Sequence, residues 1–161
     1  MTKIFKIITN PNKILRKKSK DINLLTIKNK DFQSMLDLMA ETMLKKDGVG
    51  LAASQIGENI RLFVVNTKNG PEFFINPIIL KKSWAKEIAE EGCLSIPNVF
   101  GKVKRHKQVI CGYINRKGEG KKVEASGLMA RVIQHENDHL DGILFIDKAT
   151  HIHELKEEQE S

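Results

Sequence analysis

The chain has 161 residues, 40% hydrophobic and 29% charged, which suits one globular domain burying about two thirds of the surface its unfolded chain exposes. No stretch approaches the roughly 18 apolar residues of a membrane-spanning helix, and Met1 to Lys13 lacks a signal-peptide core, so a cytoplasmic protein is expected. Its 27 Lys and Arg against 20 Asp and Glu, net +7, favour anionic surroundings; the lysines are scattered, with short clusters at Arg16 to Lys20 and Lys102 to Lys107 and no interleaved aromatics, so sequence-specific nucleic-acid binding is not indicated.

Ile4 to Thr9 reads as a short strand, after which Asn10 and Pro11 turn the chain into a basic segment with room for a brief helix. From Asp31 to Lys46, Phe32, Met35, Leu36, Met39 and Met43 recur at helical spacing, which predicts an amphipathic helix with a Met and Phe core stripe. Gly48, just past its end, suits a left-handed cap. Ile60 to Asn66 and Glu72 to Asn76 are strand-like and joined by a turn at Asn69, Gly70 and Pro71, a hairpin. Further strands are expected at Ile78 to Lys82, Ala85 to Glu90, Phe100 to Lys104, Gln108 to Asn115 and Lys121 to Ala125.

Ser126 offers an N-cap for a second helix, along which Leu128, Val132, His135 and His139 share one face. Gly142 ends that helix, Ile143 to Asp147 returns to a strand, and the tail over 149–161 is polar with helical potential. This order predicts an α+β fold, a single domain over 1–161 whose antiparallel or mixed sheets pack around the second helix.

Within that helix lies His135 Glu136 Asn137 Asp138 His139. Two histidines four apart place two imidazoles on one face for one metal ion, and Glu136 between them is suited to move a proton on water. The pattern is short, so it needs a third ligand to carry weight.

The extended metalloprotease pattern puts a third His at position 145, where this chain has Phe145. Glu154, Glu157, Glu158 and Glu160 are acidic alternatives in a charged terminal run, and His151 and His153 read as surface residues. Upstream, Glu91 Gly92 Cys93 Leu94 Ser95 supplies a thiol whose softness suits iron or zinc beside imidazoles, which makes Cys93 the best third ligand. Reduced thiols are expected for Cys93 and Cys111, a bridge between them being the alternative; Cys111 in its apolar strand reads as a small buried hydrophobe. A third segment, Gly48 Val49 Gly50 Leu51 Ala52 Ala53 Ser54 Gln55, lets backbone pack tightly and ends in an amide, although Gln55 is equally readable as a surface residue.

Together these segments resemble the peptide deformylases, which carry Gly-x-Gly-x-Ala-Ala-x-Gln, Glu-Gly-Cys-x-Ser and Gln-His-Glu-x-x-His in this order. Gly48 to Gln55, Glu91 to Ser95 and Gln134 to His139 match all three, and the likeness extends to Leu15, Arg16, Arg105 and Leu140 to Gly142. Asn137 departs from it, since many relatives have an apolar residue there.

The resemblance implies hydrolytic removal of the formyl group from the N-terminal methionine of new polypeptides. It implies metal ligands Cys93, His135 and His139, ferrous iron as the usual metal with zinc or nickel as substitutes, and Glu136 as the group that takes and returns a proton. Gln55 and the Leu94 backbone N–H would meet the developing oxyanion. Val49, Gly50 and Leu51 would line the substrate groove, with Leu128 and Val132 beside the methionine pocket. The implied partners are N-formylmethionyl nascent peptides and, through docking, the ribosome. The rival readings are a zinc peptidase with a C-terminal Glu ligand and a non-enzymatic basic protein associated with ribosomal RNA.

Overall fold

The computed structural model describes residues 3–156. Among them the order is α1 (Lys30–Lys45), β1 (Gly50–Ala52), β2 (Leu62–Thr67), β3 (Gly70–Lys82), β4 (Lys86–Cys93), β5 (Ile96–His106), β6 (Gln108–Ile114), β7 (Gly120–Ser126), α2 (Gly127–Leu140) and β8 (Thr150–Glu154). The strands form two antiparallel sheets, one ordered β1-β2-β3-β6-β7 and one ordered β4-β5-β8. The fold is α+β, as the order of elements predicts.

α1 starts where the Asn29 side chain accepts from the Asp31 N–H at 2.8 Å, satisfying a donor that the first turn leaves free. Leu36, Met39 and Met43 are its buried stripe. At its end the left-handed residue is Asp47, φ 55°, and not Gly48. The Gly48 N–H donates to the Met43 carbonyl at 2.9 Å and the Asp47 N–H to the Leu44 carbonyl at 3.2 Å, which closes the last turn. Gly48 serves packing instead, since a Cβ there would lie 3.1 Å from Leu94 Cδ1.

In β2, Leu62, Phe63, Val64 and Val65 are all buried, because helices cover both faces of the larger sheet. Leu62 and Val64 join Leu36, Met39 and Met43 of α1, whereas Phe63 and Val65 join Ala130, Val132 and Ile133 of α2. α2 touches β1, β2, β6 and β7 on one side and β5 of the smaller sheet on another. Its burial is near-complete from Val132 to Glu136. Ser126 occupies the N-cap position without a side-chain bond, while Gly142, φ 73°, closes the C-terminus through bonds from its own N–H to the His139 carbonyl at 3.1 Å and from the Ile143 N–H to the Asp138 carbonyl at 2.9 Å.

Several local expectations yield to tertiary context. Ile4 to Thr9 forms no ladder; Ile8 and Asn10 donate singly to the Gln55 carbonyl at 2.7 Å and the Ser95 carbonyl at 2.8 Å. Glu72 to Asn76 and Ile78 to Lys82 are one strand, β3, with a bulge where Asn76 adopts φ 48°. Ile143 to Asp147 holds a 3-10 turn over Phe145–Asp147 and not a strand. The tail is not helical where it is described. Residues Thr150–Glu154 form β8, because β5 has a free edge to pair, with Phe100 opposite His153. The tail's residues 157–161 lie outside the described part.

Candidate metal centre and active site

Ligand atoms of Cys93, at the end of β4, and of His135 and His139, one turn apart on α2, all lie within 4.8 Å of one another. Cys93 Sγ is 3.3 Å from His139 Nε2, and the two imidazole centroids are 5.1 Å apart. Both cysteines are free thiols, which removes the bridge as an alternative. Burial pushes the Cys111 thiol up to about 11, as befits an inert core residue.

A buried charge cluster fixes the His135 ring. Its Nδ1 lies 2.8 Å from Glu91 Oε1, which turns Nε2 toward the ligand cluster. Arg105 grips the same carboxylate with two bonds of 2.9 Å and reaches Asp138 at 2.5 Å with its remaining arm. Arg131 adds a bond of 2.6 Å to Glu91. Burial would raise the Glu91 pKa, but the hydrogen bonds from His135 and Arg105 outweigh it and hold the carboxyl far below the ordinary range.

The cluster fits a soft divalent cation. Burial disfavours charge on His135, yet its bonds to Cys93 and Glu91 outweigh burial and push its pKa up to about 10, so its environment strongly favours positive charge. His139 is driven the other way, well below its usual value, by burial and then by the positive charges of His135 and Arg105. The neutral form of His139 is thus favoured, as binding a cation would require, while at His135 a cation would supply the positive charge its surroundings favour in place of a proton. One thiol and two imidazoles form a donor set suited to iron, zinc or nickel.

Around this cluster lies a cavity of about 470 Å³ lined by Val49, Gly50, Gln55, Leu94, Leu128, Val132 and Glu136 among others. Leu51, expected in the groove, instead lies wholly buried in the core against α1, because strand neighbours point to opposite faces. Leu128 is 66% exposed at the rim, whereas Val132 is buried beside the histidines. Glu136 is buried, and burial pushes its pKa up to about 7. Gln55 is no surface amide: its Oε1 accepts from the Ala52 N–H at 2.9 Å, and its Nε2 lies 3.1 Å from Ser95 Oγ and 3.5 Å from Cys93 Sγ.

Reading ligands alone passes over Glu91, Arg105, Asp138 and Arg131. Glu91 sits two residues from Cys93 and so was open to suspicion, but nothing in the linear pattern pairs it with His135. Phe145 stacks on the His135 ring at 6.2 Å, where the protease pattern would place a third histidine. Glu154 is exposed on β8 and is no part of the cluster, while Glu157, Glu158 and Glu160 lie outside the described residues.

An α+β fold whose helix brings two histidines to a thiol, beside a cavity lined by that thiol and a buried carboxyl, defines a metal-dependent hydrolase. The model of the polypeptide deformylase family matches residues 4–155. A peptide deformylase of Pseudothermotoga lettingae is 46% identical over 147 residues, covering 91% of this chain and 82% of that protein. The crystal structure of the Thermotoga maritima peptide deformylase superposes with a TM-score of 0.87 at 40% identity, covering 92% of this chain and 99% of that one. A Met-Ala-Ser-bound class I type b peptide deformylase from Acinetobacter baumannii superposes with a TM-score of 0.86 at 30% identity, covering 92% and 99%. The chain belongs to the polypeptide deformylase family, metal-dependent enzymes that remove the N-formyl group from nascent polypeptides.

Proposed function

We propose that this chain, residues 1–161 acting as one catalytic domain, hydrolyses N-formylmethionyl peptides with Cys93, His135 and His139 as metal ligands and Glu136 as proton carrier. The observation behind this reading is a soft cation-binding triad and a buried carboxyl poised near neutrality in one cavity. The cation, ferrous iron in this reading with zinc or nickel as substitutes, supplies Lewis acidity and lowers the pKa of water toward about 7.

Glu136 takes a proton from the attacking water and returns it to the leaving amine, two transfers that suit a group with a pKa of about 7. Held by Ala52, the Gln55 side chain donates from Nε2 to the formyl oxygen as charge develops there, and the Leu94 backbone N–H is the second donor. Because the Val49 carbonyl accepts from the Asn66 N–H, the alternation of the ladder turns the N–H and C=O of Gly50 away from β2 at an edge of the sheet, while the Gly48 N–H is held by the Met43 carbonyl. The substrate backbone adds there as a strand. Leu128 and Val132 flank the methionine side chain, with Val49 and Gly50 opposite and Leu51 as support from the core. The Met-Ala-Ser bound by the Acinetobacter relative, a peptide that begins with methionine, supports a methionyl peptide as the ligand class. A site this confined favours formyl over acetyl; comparable rates on the two would contradict it. A cytoplasmic location and docking at the ribosome belong to the same reading.

The test is formate release from a formyl-Met peptide by protein loaded anaerobically with iron, against zinc-loaded protein. Cys93→Ala is expected to lose both metal and release, whereas Glu136→Ala keeps the metal and loses about 10²- to 10⁴-fold in rate. Metal retained by Cys93→Ala would favour the peptidase reading, and undiminished release by Glu136→Ala would remove its role.

A further inference from the structure

The chain's one tryptophan, Trp84, is 98% exposed, the reverse of the usual fate of so large an apolar surface. It lies in the turn between β3 and β4, and its neighbours are tied to the segment joining β5 and β6. The Ser83 N–H donates to the Gln108 carbonyl at 2.9 Å and the Lys107 N–H to the Ala85 carbonyl at 3.0 Å. His106 Nδ1 lies 2.7 Å from the Ser83 carbonyl oxygen. The indole therefore stands on a backbone anchored on both sides, with little loop entropy left to lose when something stacks on it.

The strands and turn next to Trp84 carry cations. In the β4 and β5 pairing Lys86 is opposite His106 and Ile88 opposite Lys104, so each pair shares a face. Val103 and Arg105 are buried, which turns Lys104 and His106 to the outer side. Lys107 follows in the turn beside Ala85. None of the ion pairs among the described residues involves Lys86, Lys104 or Lys107. Along the chain no aromatic interrupts the Lys102 to Lys107 cluster; strand pairing places one beside it.

We propose that this face, the turn at Trp84 with the outer side of β4 and β5, binds single-stranded RNA without sequence preference. An unpaired base stacks on Trp84, and Lys86, Lys104 and Lys107 meet the phosphates on either side. One exposed ring, with Ile88 four residues on, offers too little apolar surface to enter a bilayer, whereas an exposed ring at the end of strands that carry unpaired lysines is what a base and its phosphates require. Duplex RNA, whose bases are stacked on each other, lacks the exposed base face. Neither Trp84 nor Lys86, Ile88, Lys104 or Lys107 lines the catalytic cavity, which this side of β4 reaches only from Glu90 onward.

Because Trp84 is the sole tryptophan, its fluorescence reports this surface alone. Titration of the metal-loaded protein with a uridine oligonucleotide at low salt is expected to quench it saturably, with a log–log salt slope of about −2 for three lysines. Trp84→Ala, followed by anisotropy of labelled oligonucleotide, should weaken binding about tenfold and leave formate release unchanged. Charge reversal at Lys86, Lys104 and Lys107 should flatten the salt slope. No quenching, equal quenching by duplex RNA, or binding that Trp84→Ala leaves unaltered would each overturn the proposal. A blue shift on phosphatidylglycerol vesicles without response to RNA would overturn it in favour of a membrane surface.

Discussion

Gly50 stands so close to Glu136 that a Cβ added to the glycine would fall 2.9 Å from both Cγ and Oε1 of the glutamate, and as near to Val132 Cγ1. The backbone of β1 is therefore one wall of the slot that holds Glu136. Gly50→Ala has no room except by moving Glu136, since Val132 is itself packed. The expected outcome is a fall of about 10²-fold in kcat/KM with metal content unchanged, read by formate release and metal analysis of the same preparation. A fully active alanine variant would show the wall to be yielding.

Glu91 holds the ring of His135 and is held in turn by Arg105 and Arg131. Glu91→Gln keeps the shape and removes the charge that strengthens His135 as a donor. Metal affinity, measured by competition with a chelator, is expected to fall about 10- to 100-fold. Affinity equal to that of the unaltered protein would mean that packing against Phe145 alone orients the ring.

Arg16 and Asp147 join the first basic turn to the turn after α2, with bonds of 2.5 and 3.1 Å. The Arg16 bond lowers the Asp147 pKa from its usual value. A carboxyl whose folded pKa is depressed contributes stability above its unfolded pKa of about 3.9 and loses it as pH falls through the folded value. Both side chains are more than a third exposed, so solvent screening keeps the contribution under about 1 kcal/mol. Urea unfolding should find Asp147→Asn weaker at pH 6, with the difference shrinking as pH falls below about 4.

Gly142 combines φ 73° with a position where an added Cβ would collide with the Arg16 carbonyl oxygen. Gly142→Ala is expected to cost more than about 1 kcal/mol of stability, seen as a lower urea midpoint. An unchanged midpoint would require the Arg16 backbone to move aside freely.

The Met stripe of α1, the hairpin at Gly70 and the face shared by Val132, His135 and His139 are legible along the chain, because helix and strand periods are local properties of the backbone. The three motifs likewise suffice to identify the family and to name Cys93, His135 and His139 as candidate ligands, since residue type decides which atoms can bind a soft cation. Contacts between distant segments decide the rest. Glu91 and His135 are 44 residues apart, and only the packing of β4 beside α2 brings them into bonding distance. The tail becomes a strand because β5 has an unpaired edge, and Leu51 leaves the groove for the core because α1 covers that side of β1. Charge, hydropathy and donor chemistry are properties of residues and are already present in the sequence; burial, pairing and the pKa values that follow from them belong to neighbours that only the folded chain supplies.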